Sequence, residues 1–397
     1  MYDAIVVGAR CAGSPTAMLL ARRGYRVLVV DRATFPSDTL STHFIHLSGI
    51  AQLDKWGLLD AVRATGCPSL REFVFDVGPL RLVGPPHPAG DVSEMFCCRR
   101  TLLDQILVDA AVEAGAEVRQ GFTVSGLVEE DGRIVGISGR EATGRTVTER
   151  AAIVVGADGR HSLVARAVDA AEYEAVPALC GYYYSYWSGI HTDRVEFFPR
   201  EGRVAGLLPT NDGLTCVFVG ARMEDFLAAR RDADRLISGV LDTIPRLATQ
   251  VVAGRREERL RGTVDVANFF RRPWGPGWAL VGDAGCHKDP ILGQGISDAF
   301  RDAEFLADAL DAGFSGRQPM TSALTRYEWR RNEVEIPRYL FNLQHAALDA
   351  PTPELESLFG ALANNPQEAS RFFGTYAGTV PVQEFMAVDN VERILAS

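Results

Sequence analysis

The segment Gly8-Ala9-Arg10-Cys11-Ala12-Gly13 stands between the apolar run Ala4–Val7 and a small-residue stretch of helical character. Glycines so placed allow a tight turn, and the amides at the start of the following helix present partial positive charge to an anion. The next apolar run, Tyr25–Val30, ends at Asp31, where a carboxylate can accept hydrogen bonds from a ribose. Strand, turn, helix and acid in this order read as a site for the pyrophosphate and adenosine ribose of a dinucleotide. Arg10 replaces the usual middle glycine, so its side chain must turn outward or lie over the phosphates.

A second segment repeats the theme. Trp278–Val281 is a buried-strand pattern ending in Gly282-Asp283-Ala284, followed by Pro290, Gly293-Gln294-Gly295 and a helix with Asp298 and Asp302 near its start. A carboxylate at a strand end accepts hydrogen bonds from a polyol, and glycines opening a helix offer bare amides to an electron-rich ring edge. Lying about 270 residues after the first glycine turn, this segment calls for one long cofactor. FAD has that reach; a phosphate-only ligand does not. Two more segments belong with these: Val154-Val155-Gly156-Ala157-Asp158-Gly159-Arg160-His161-Ser162 and Arg100-Thr101-Leu102-Leu103-Asp104.

The four segments, in this order, resemble the FAD-dependent monooxygenases of the para-hydroxybenzoate hydroxylase-like superfamily. The resemblance implies FAD held by Gly8, Arg10, Cys11, Ala12, Gly13, Asp31, Arg32, Arg100, Val124, Asp158, Gly159, Gly282, Asp283, Pro290, Gly293, Gln294, Gly295 and Ile296. It also implies NAD(P)H as electron donor and dioxygen as co-substrate. A flavin hydroperoxide would then oxygenate an aromatic or polyketide-like small molecule, and the cofactor carries that chemistry. This sequence departs from the family pattern at Arg10, at Asp31 where glutamate is commoner, and at Cys286-His287, which leaves the role of His287 open.

Substrate-side candidates are fewer. Cys180–Trp187 reads as one strand with Tyr182, Tyr184 and Tyr186 on one face and Tyr183, Ser185 and Trp187 on the other. The first face suits an aromatic pocket, and either suits ordinary sheet packing. Ser41-Thr42-His43-Phe44-Ile45-His46 follows the second strand; in the resembling family this stretch approaches the flavin ring, so His43 or His46 is a candidate proton relay, or a packed histidine at a helix start. The candidates for catalysis are thus His46, Tyr184 and His287. Gly206–Asn211 resembles a sheet edge facing the active site, while Asn211-Asp212-Gly213 reads as a hairpin turn. Cys11 and Cys286 have no paired base, and no metal-ligand spacing appears.

Two other activities share these cofactor segments: prenyl-lipid reduction of the geranylgeranyl reductase type, and flavin-dependent halogenation. The halogenase signature Trp-x-Trp-x-Ile-Pro is absent, and Lys55 reads as a solvated helix end. A flavoprotein that binds FAD only for folding is the non-enzymatic reading.

The elements that position these groups fit a doubly wound, Rossmann-like α/β domain interleaved with a mixed or antiparallel sheet domain, plus a helical C-terminal segment. The expected division is 1–70, 96–176 and 273–320 for FAD, 71–95 and 177–272 for substrate, and 321–397 helical. Ser14 is expected to cap the first helix with Pro15 at its first position, Gly126–Val135 to form one strand, and Pro337 to break the last helices. Among 397 residues, 47% are hydrophobic and 23% charged, the pattern of a folded globular chain. The net charge of −10 argues against nucleic acid or an anionic membrane as partner. There is no apolar run long enough to span a bilayer and no leader before the first strand, and seven cysteines lack disulfide spacing, so a cytoplasmic location is expected. Oligomeric state is not legible.

Overall fold

The computed structural model describes residues 1–396. β1 (Tyr2–Val7), α1 (Gly13–Ala21) and β2 (Val27–Asp31) form the expected unit. Ala4, Val6, Val27 and Val29 point into one core with α1, while Ile5, Val7, Leu28 and Val30 point into another behind the sheet. Burial on both faces is why these runs are continuously apolar. β3 (Thr146–Gly156) lies beside β1, β4 (Trp278–Leu280) beside β3, and Glu117–Gln120 beside β2, all parallel. The Arg100–Glu113 helix and α2 (Gly295–Phe314) share the core on the α1 face.

Gly126–Val135 is not one strand. Thr123–Glu130 and Arg133–Arg140 form a hairpin, because Asp131 and Gly132 both take positive φ, 48° and 74°. Asp-Gly with both central residues left-handed matches the twist of a tight hairpin.

The second sheet runs in the order 255–256, 180–188, 215–222, 203–209, 195–200, 73–76, 81–84. The early hairpin, Phe73–Asp76 with Arg81–Gly84, joins it through parallel pairing of Phe73 with Val195. Its faces alternate as the tyrosine strand requires. Tyr182, Tyr184 and Tyr186 enter the core that faces the C-terminal helices and the 44–47 and 291–292 segments. Tyr183 and Trp187 pack toward the helices between 233 and 253, and Tyr183 stacks on Phe226 at 4.5 Å.

The C-terminal segment contains α3 (Met320–Ala346), a helix over Pro353–Ala363, and α4 (Pro366–Ala377), followed by two short helices. α3 passes through Pro337 unbroken. Proline costs a helix one backbone hydrogen bond; here the side chains on both sides of it are anchored. Glu335 and Arg338 belong to a buried cluster with Lys288, Asp298, Arg301 and Asp302. Lys288 Nζ pairs with Glu335 and, at 2.9 Å, with Asp298; Arg301 reaches Asp298 at 3.0 Å, Asp302 at 2.8 Å and Glu335 at 2.9 Å; Arg338 reaches Asp298 at 3.2 Å. Three cations thus face three anions. Arg331, fully buried on the same helix, donates to the carbonyls of Gly285 and Arg271 and to the Tyr173 hydroxyl.

Among the described residues no helix is long and apolar enough to cross a membrane. Removing one anion from the cluster strands a buried cation. Glu335→Ala is therefore expected to lower unfolding stability by about 3–5 kcal/mol, read from urea denaturation followed by circular dichroism.

Candidate active site

The first glycine turn is closed by sterics. A Cβ on Gly13 would lie 1.8 Å from the Gly8 carbonyl oxygen, and one on Gly8, at φ 106°, would lie 2.4 Å from the Ala157 oxygen. α1 starts at Gly13 after Ala12, with no acidic side chain in its first turn and no side-chain cap. Ser14, expected as the cap, sits inside the helix and donates from Oγ to the Ala9 carbonyl at 3.0 Å, and Pro15 is the third helical residue, still within the turn where proline costs nothing. No side chain therefore occupies the positive end of α1. Both oxygens of Asp31 accept backbone N–H groups, Oδ2 from Ala9 at 2.7 Å and Oδ1 from Ala33 at 2.8 Å, and each keeps a lone pair.

Arg10 turns toward Asp104 and Ser37. It donates to Asp104 at 2.5 Å, to the Ser37 carbonyl at 3.2 Å and to Ser37 Oγ at 3.0 Å. The fully buried Asp104 also accepts from Arg100 Nε at 3.0 Å and Cys11 Sγ at 3.5 Å. Two arginines on one carboxylate leave a positive excess beside α1. Burial opposes the charge of Arg100, but the carboxylates of Asp104 and Asp283 outweigh it and keep the guanidinium ionised. The two glycine turns also meet directly: Gly282 takes φ 61°, and a Cβ there would lie 2.7 Å from the Ala12 Cβ. The two turns, far apart in sequence, touch.

Asp283 is exposed at the end of β4. Asp158 accepts the Leu163 N–H at 2.6 Å and leaves Oδ1 buried without a partner; burial raises its pKa against those bonds. Gly159 takes φ 78° with open space around it. Val124 is half-buried against the core behind β1 and β2, and Arg32 is exposed. Pro290 opens a short turn ending at Gly293, whose φ is 63° and whose Cβ would approach the Phe44 ring at 3.2 Å. Gln294 donates to the Tyr376 carbonyl at 3.2 Å, a Cβ on Gly295 would meet nothing within 4 Å, and Ile296 is buried. Two adjoining glycine turns, an open helix start and a free strand-end carboxylate fit a dinucleotide joined to a ring by a polyol.

Next to Gly293 the sheet meets the 42–46 segment. His43 adopts φ 61°, rare for a side-chain-bearing residue. Its Nε2 hydrogen-bonds the Tyr186 hydroxyl, its ring stacks on Tyr186 at 5.6 Å, and Arg99 covers Tyr186 at 3.8 Å. Burial, then Arg100, Arg99 and Arg261, hold His43 well below the usual imidazole range. Tyr184 is buried beside His43, its hydroxyl in the neighbourhood of Arg261 and the Ser41 backbone. His46 donates from Nε2 to the Leu292 carbonyl at 2.8 Å, and burial lowers its pKa to about 3.

His287 lies apart from these. It pairs with Phe269 on a short antiparallel sheet and its Nδ1 bonds the Ala267 carbonyl at 2.5 Å. Cys11 is buried and pushed up by that burial, and desolvation likewise pushes up the half-buried Cys286. Asn211 forms the expected hairpin turn and also reaches outside it, accepting the Arg99 N–H at 3.0 Å and donating to the Thr65 carbonyl at 3.0 Å. Among the described residues no His, Cys, Asp or Glu group could hold a metal.

Sequence reasoning missed the ion cluster and Asp289. Spacing along α2 (Asp298, Arg301, Asp302) carried a signal for the first. Asp289 Oδ1 accepts the Tyr182 hydroxyl at 2.5 Å and the Ile291 N–H at 3.0 Å, while Oδ2 has no partner. Burial raises Asp289 to about 7, against both bonds. A carboxyl raised on folding stabilises the fold fully below its unfolded pKa, and that contribution fades as pH rises through the folded value. Thermal stability should therefore fall between about pH 4 and about pH 7 through this group, and Asp289→Asn should flatten that part of the Tm–pH profile.

Residues 1–336 match the FAD binding domain family. Digeranylgeranylglycerophospholipid reductase 2 of Methanopyrus kandleri is 27% identical over 381 residues, 91% of this chain and 90% of that protein. The flavin-dependent brominase Bmp2 superposes with a TM-score of 0.86 at 17% identity, covering 99% of this chain and 97% of its own. PqsL of Pseudomonas aeruginosa, described as a probable FAD-dependent monooxygenase, superposes at 0.71 with 22% identity, over 94% and 99%. At these identities the structures show a shared fold. The chain belongs to the FAD binding domain family and is an FAD-dependent oxidoreductase.

Proposed function

We propose that this protein is a monooxygenase that uses NAD(P)H and dioxygen to oxygenate an aromatic or polyketide-like small molecule. The observation that carries this reading is the aromatic enclosure beside the Gly293–Gly295 turn. Tyr182, Tyr184 and Tyr186 line one face of the sheet, and Phe44, Phe73, Phe75 and the α4 aromatics complete one core with them. Such a surface excludes water from a reactive centre and orients a flat ring.

Bound FAD supplies the redox chemistry. The turn Gly8–Gly13, with Arg10 and Arg100 behind it, holds the pyrophosphate; Asp31, flanked by Arg32, meets the adenosine ribose; Asp283 meets the polyol. Asp158 and Gly159 just after β3, with Val124 on the Thr123–Glu130 strand, complete the expected set, and the Gly293–Ile296 backbone faces the ring. The neutral His43, the Tyr184 hydroxyl and His46 are the groups that face substrate, whereas His287 supports the backbone. The expected division of the chain into cofactor, substrate and C-terminal segments follows the same assignment.

A second reading, reduction of prenyl double bonds, draws support from the Methanopyrus relative, a digeranylgeranylglycerophospholipid reductase. The halogenase reading has less. Lys55 is exposed and paired with Glu304 at 2.6 Å, and Lys288 is locked in the ion cluster, so neither lysine is free for a reactive role.

FAD-loaded protein reduced anaerobically by NADPH, then given oxygen and candidate aromatics, should yield products heavier by one oxygen atom. Products heavier by two hydrogens would establish the reductase instead. Because a Cβ at position 295 meets nothing, Gly295→Val should keep the Tm of the FAD-free protein while weakening FAD binding by at least about tenfold, about 1.4 kcal/mol, measured by flavin fluorescence titration.

A further inference from the structure

Two of the seven free cysteines meet at a junction of the fold. The chain leaves the core beside α1, forms the early hairpin of the second sheet, and re-enters that core at the Arg100–Glu113 helix. Cys67 stands at the exit and Cys98 at the return, and both side chains are buried in the core beside α1. Cys97 points the other way, into the core of the tyrosine face, and donates to the Thr42 carbonyl at 3.1 Å.

The exit and return segments run antiparallel. Leu70 and Met95 exchange both backbone hydrogen bonds, at 2.9 and 2.7 Å, and three steps along that register bring Cys67 opposite Cys98. Antiparallel partners stand about 4.5–5.5 Å apart between Cα atoms, within the span of a disulfide. The segments are clamped on both sides of the pair. Ser69 Oγ donates to Glu94 at 2.7 Å on one side; on the other, Asn211 donates to the Thr65 carbonyl and accepts the Arg99 N–H, both at 3.0 Å. Thr65 Oγ1 accepts the Cys67 N–H at 3.2 Å and lies 3.9 Å from Cys98 Sγ. The two thiols also hydrogen-bond each other, which holds Cys98 below the ordinary thiol range despite its burial and pushes Cys67 up. Cys98 is thus the readier nucleophile and Cys67 the proton-bearing partner. Cys67 is 5% exposed beside Gly66, itself exposed with open space around it, so the pair lies just beneath the surface.

We propose that Cys67 and Cys98 form a reversible dithiol–disulfide site, oxidised by hydrogen peroxide and reduced by a small thiol, that staples the base of the excursion joining the sheet of β1 to the sheet of the tyrosine strand. The Cys98 sulfur attacks a peroxide oxygen, and the departing hydroxide takes the Cys98 proton to leave a sulfenic acid and water. The Cys67 sulfur then attacks the Cys98 sulfur, and the sulfenic hydroxyl departs with the Cys67 proton as a second water. Two thiols and one peroxide give one disulfide and two waters. Arg99 and Arg100 follow Cys98 directly, so the link also fixes the start of the helix that carries Arg100 and Asp104. The site is independent of which reaction the bound FAD performs.

In the test, FAD-loaded protein is treated with hydrogen peroxide, its remaining thiols are counted after unfolding, and its tryptic peptides are mapped by mass spectrometry. Thiols should fall from seven to five, and dithiothreitol should restore all seven. The peptides carrying Cys67 and Cys98 should appear joined, lighter by two hydrogens than their sum. Cys97 lies on the same tryptic peptide as Cys98, so Cys97→Ser is mapped as well and should keep the link, whereas Cys67→Ser and Cys98→Ser should each abolish it. The linked protein should melt several degrees above the reduced one, because the bond restricts the unfolded chain, and dithiothreitol should erase the difference. Seven surviving thiols, a link through Cys97 or any other cysteine, Cys98 oxidised without joining Cys67, or an unchanged Tm overturns the proposal. The peptide map of the native protein decides the matter even where a serine variant fails to fold.

Discussion

Six buried charges hold the site together. Lys288, Arg301 and Arg338 face Asp298, Asp302 and Glu335 where the loop before the second glycine turn, the first turns of α2, and the middle of α3 meet. Charges taken out of water are costly unless each is paired with good geometry, so any shift of one element exposes the others to that cost. Burial alone would raise Asp298, but Lys288, Arg338 and Arg301 outweigh it and keep it ionised. The result fixes the start of α2, with its open glycine, against a C-terminal helix that also carries Arg331 beneath the same loop.

The same logic joins the two sheets. The tyrosine strand reaches the cofactor side through polar contacts that are each single and specific: Tyr182 to Asp289, Tyr186 to His43, and Ser185 to the Glu258 carbonyl from its opposite face. At the hairpin end, Thr210 Oγ1 donates to the Cys97 carbonyl at 2.5 Å and Asn211 bridges Arg99 and Thr65. The left-handed backbone of His43 is tolerated because burial, stacking and its hydrogen bond all favour that placement. These contacts border a tyrosine face packed into one buried core, and beside it His46 keeps an unbonded Nδ1.

Much of this was legible from local pattern. The glycine turns were readable because a missing Cβ is a strict requirement where Gly13 meets the Gly8 carbonyl and Gly282 meets Ala12. The alternation of Tyr182, Tyr184 and Tyr186 was readable because a strand has period two. Patterns that depend on what lies across a gap were not. The Asp-Gly pair at 131–132 turns the chain inside a stretch whose valine, leucine and isoleucine residues read as one strand, and Pro337 reads as a break because the anchors on either side of it come from residues 285–302.

By itself, then, the sequence determined the cofactor class, the doubly wound core and the faces of its strands, since these follow from backbone sterics and from which side chains water rejects. Tertiary structure alone decided that Arg10 reaches Asp104 and Ser37, that His287 pairs with backbone while His46 keeps a bare lone pair, and that Lys288 is neutralised. Those outcomes turn on which hydrogen-bond and charge partners arrive from distant segments, and short-range spacing holds no record of them.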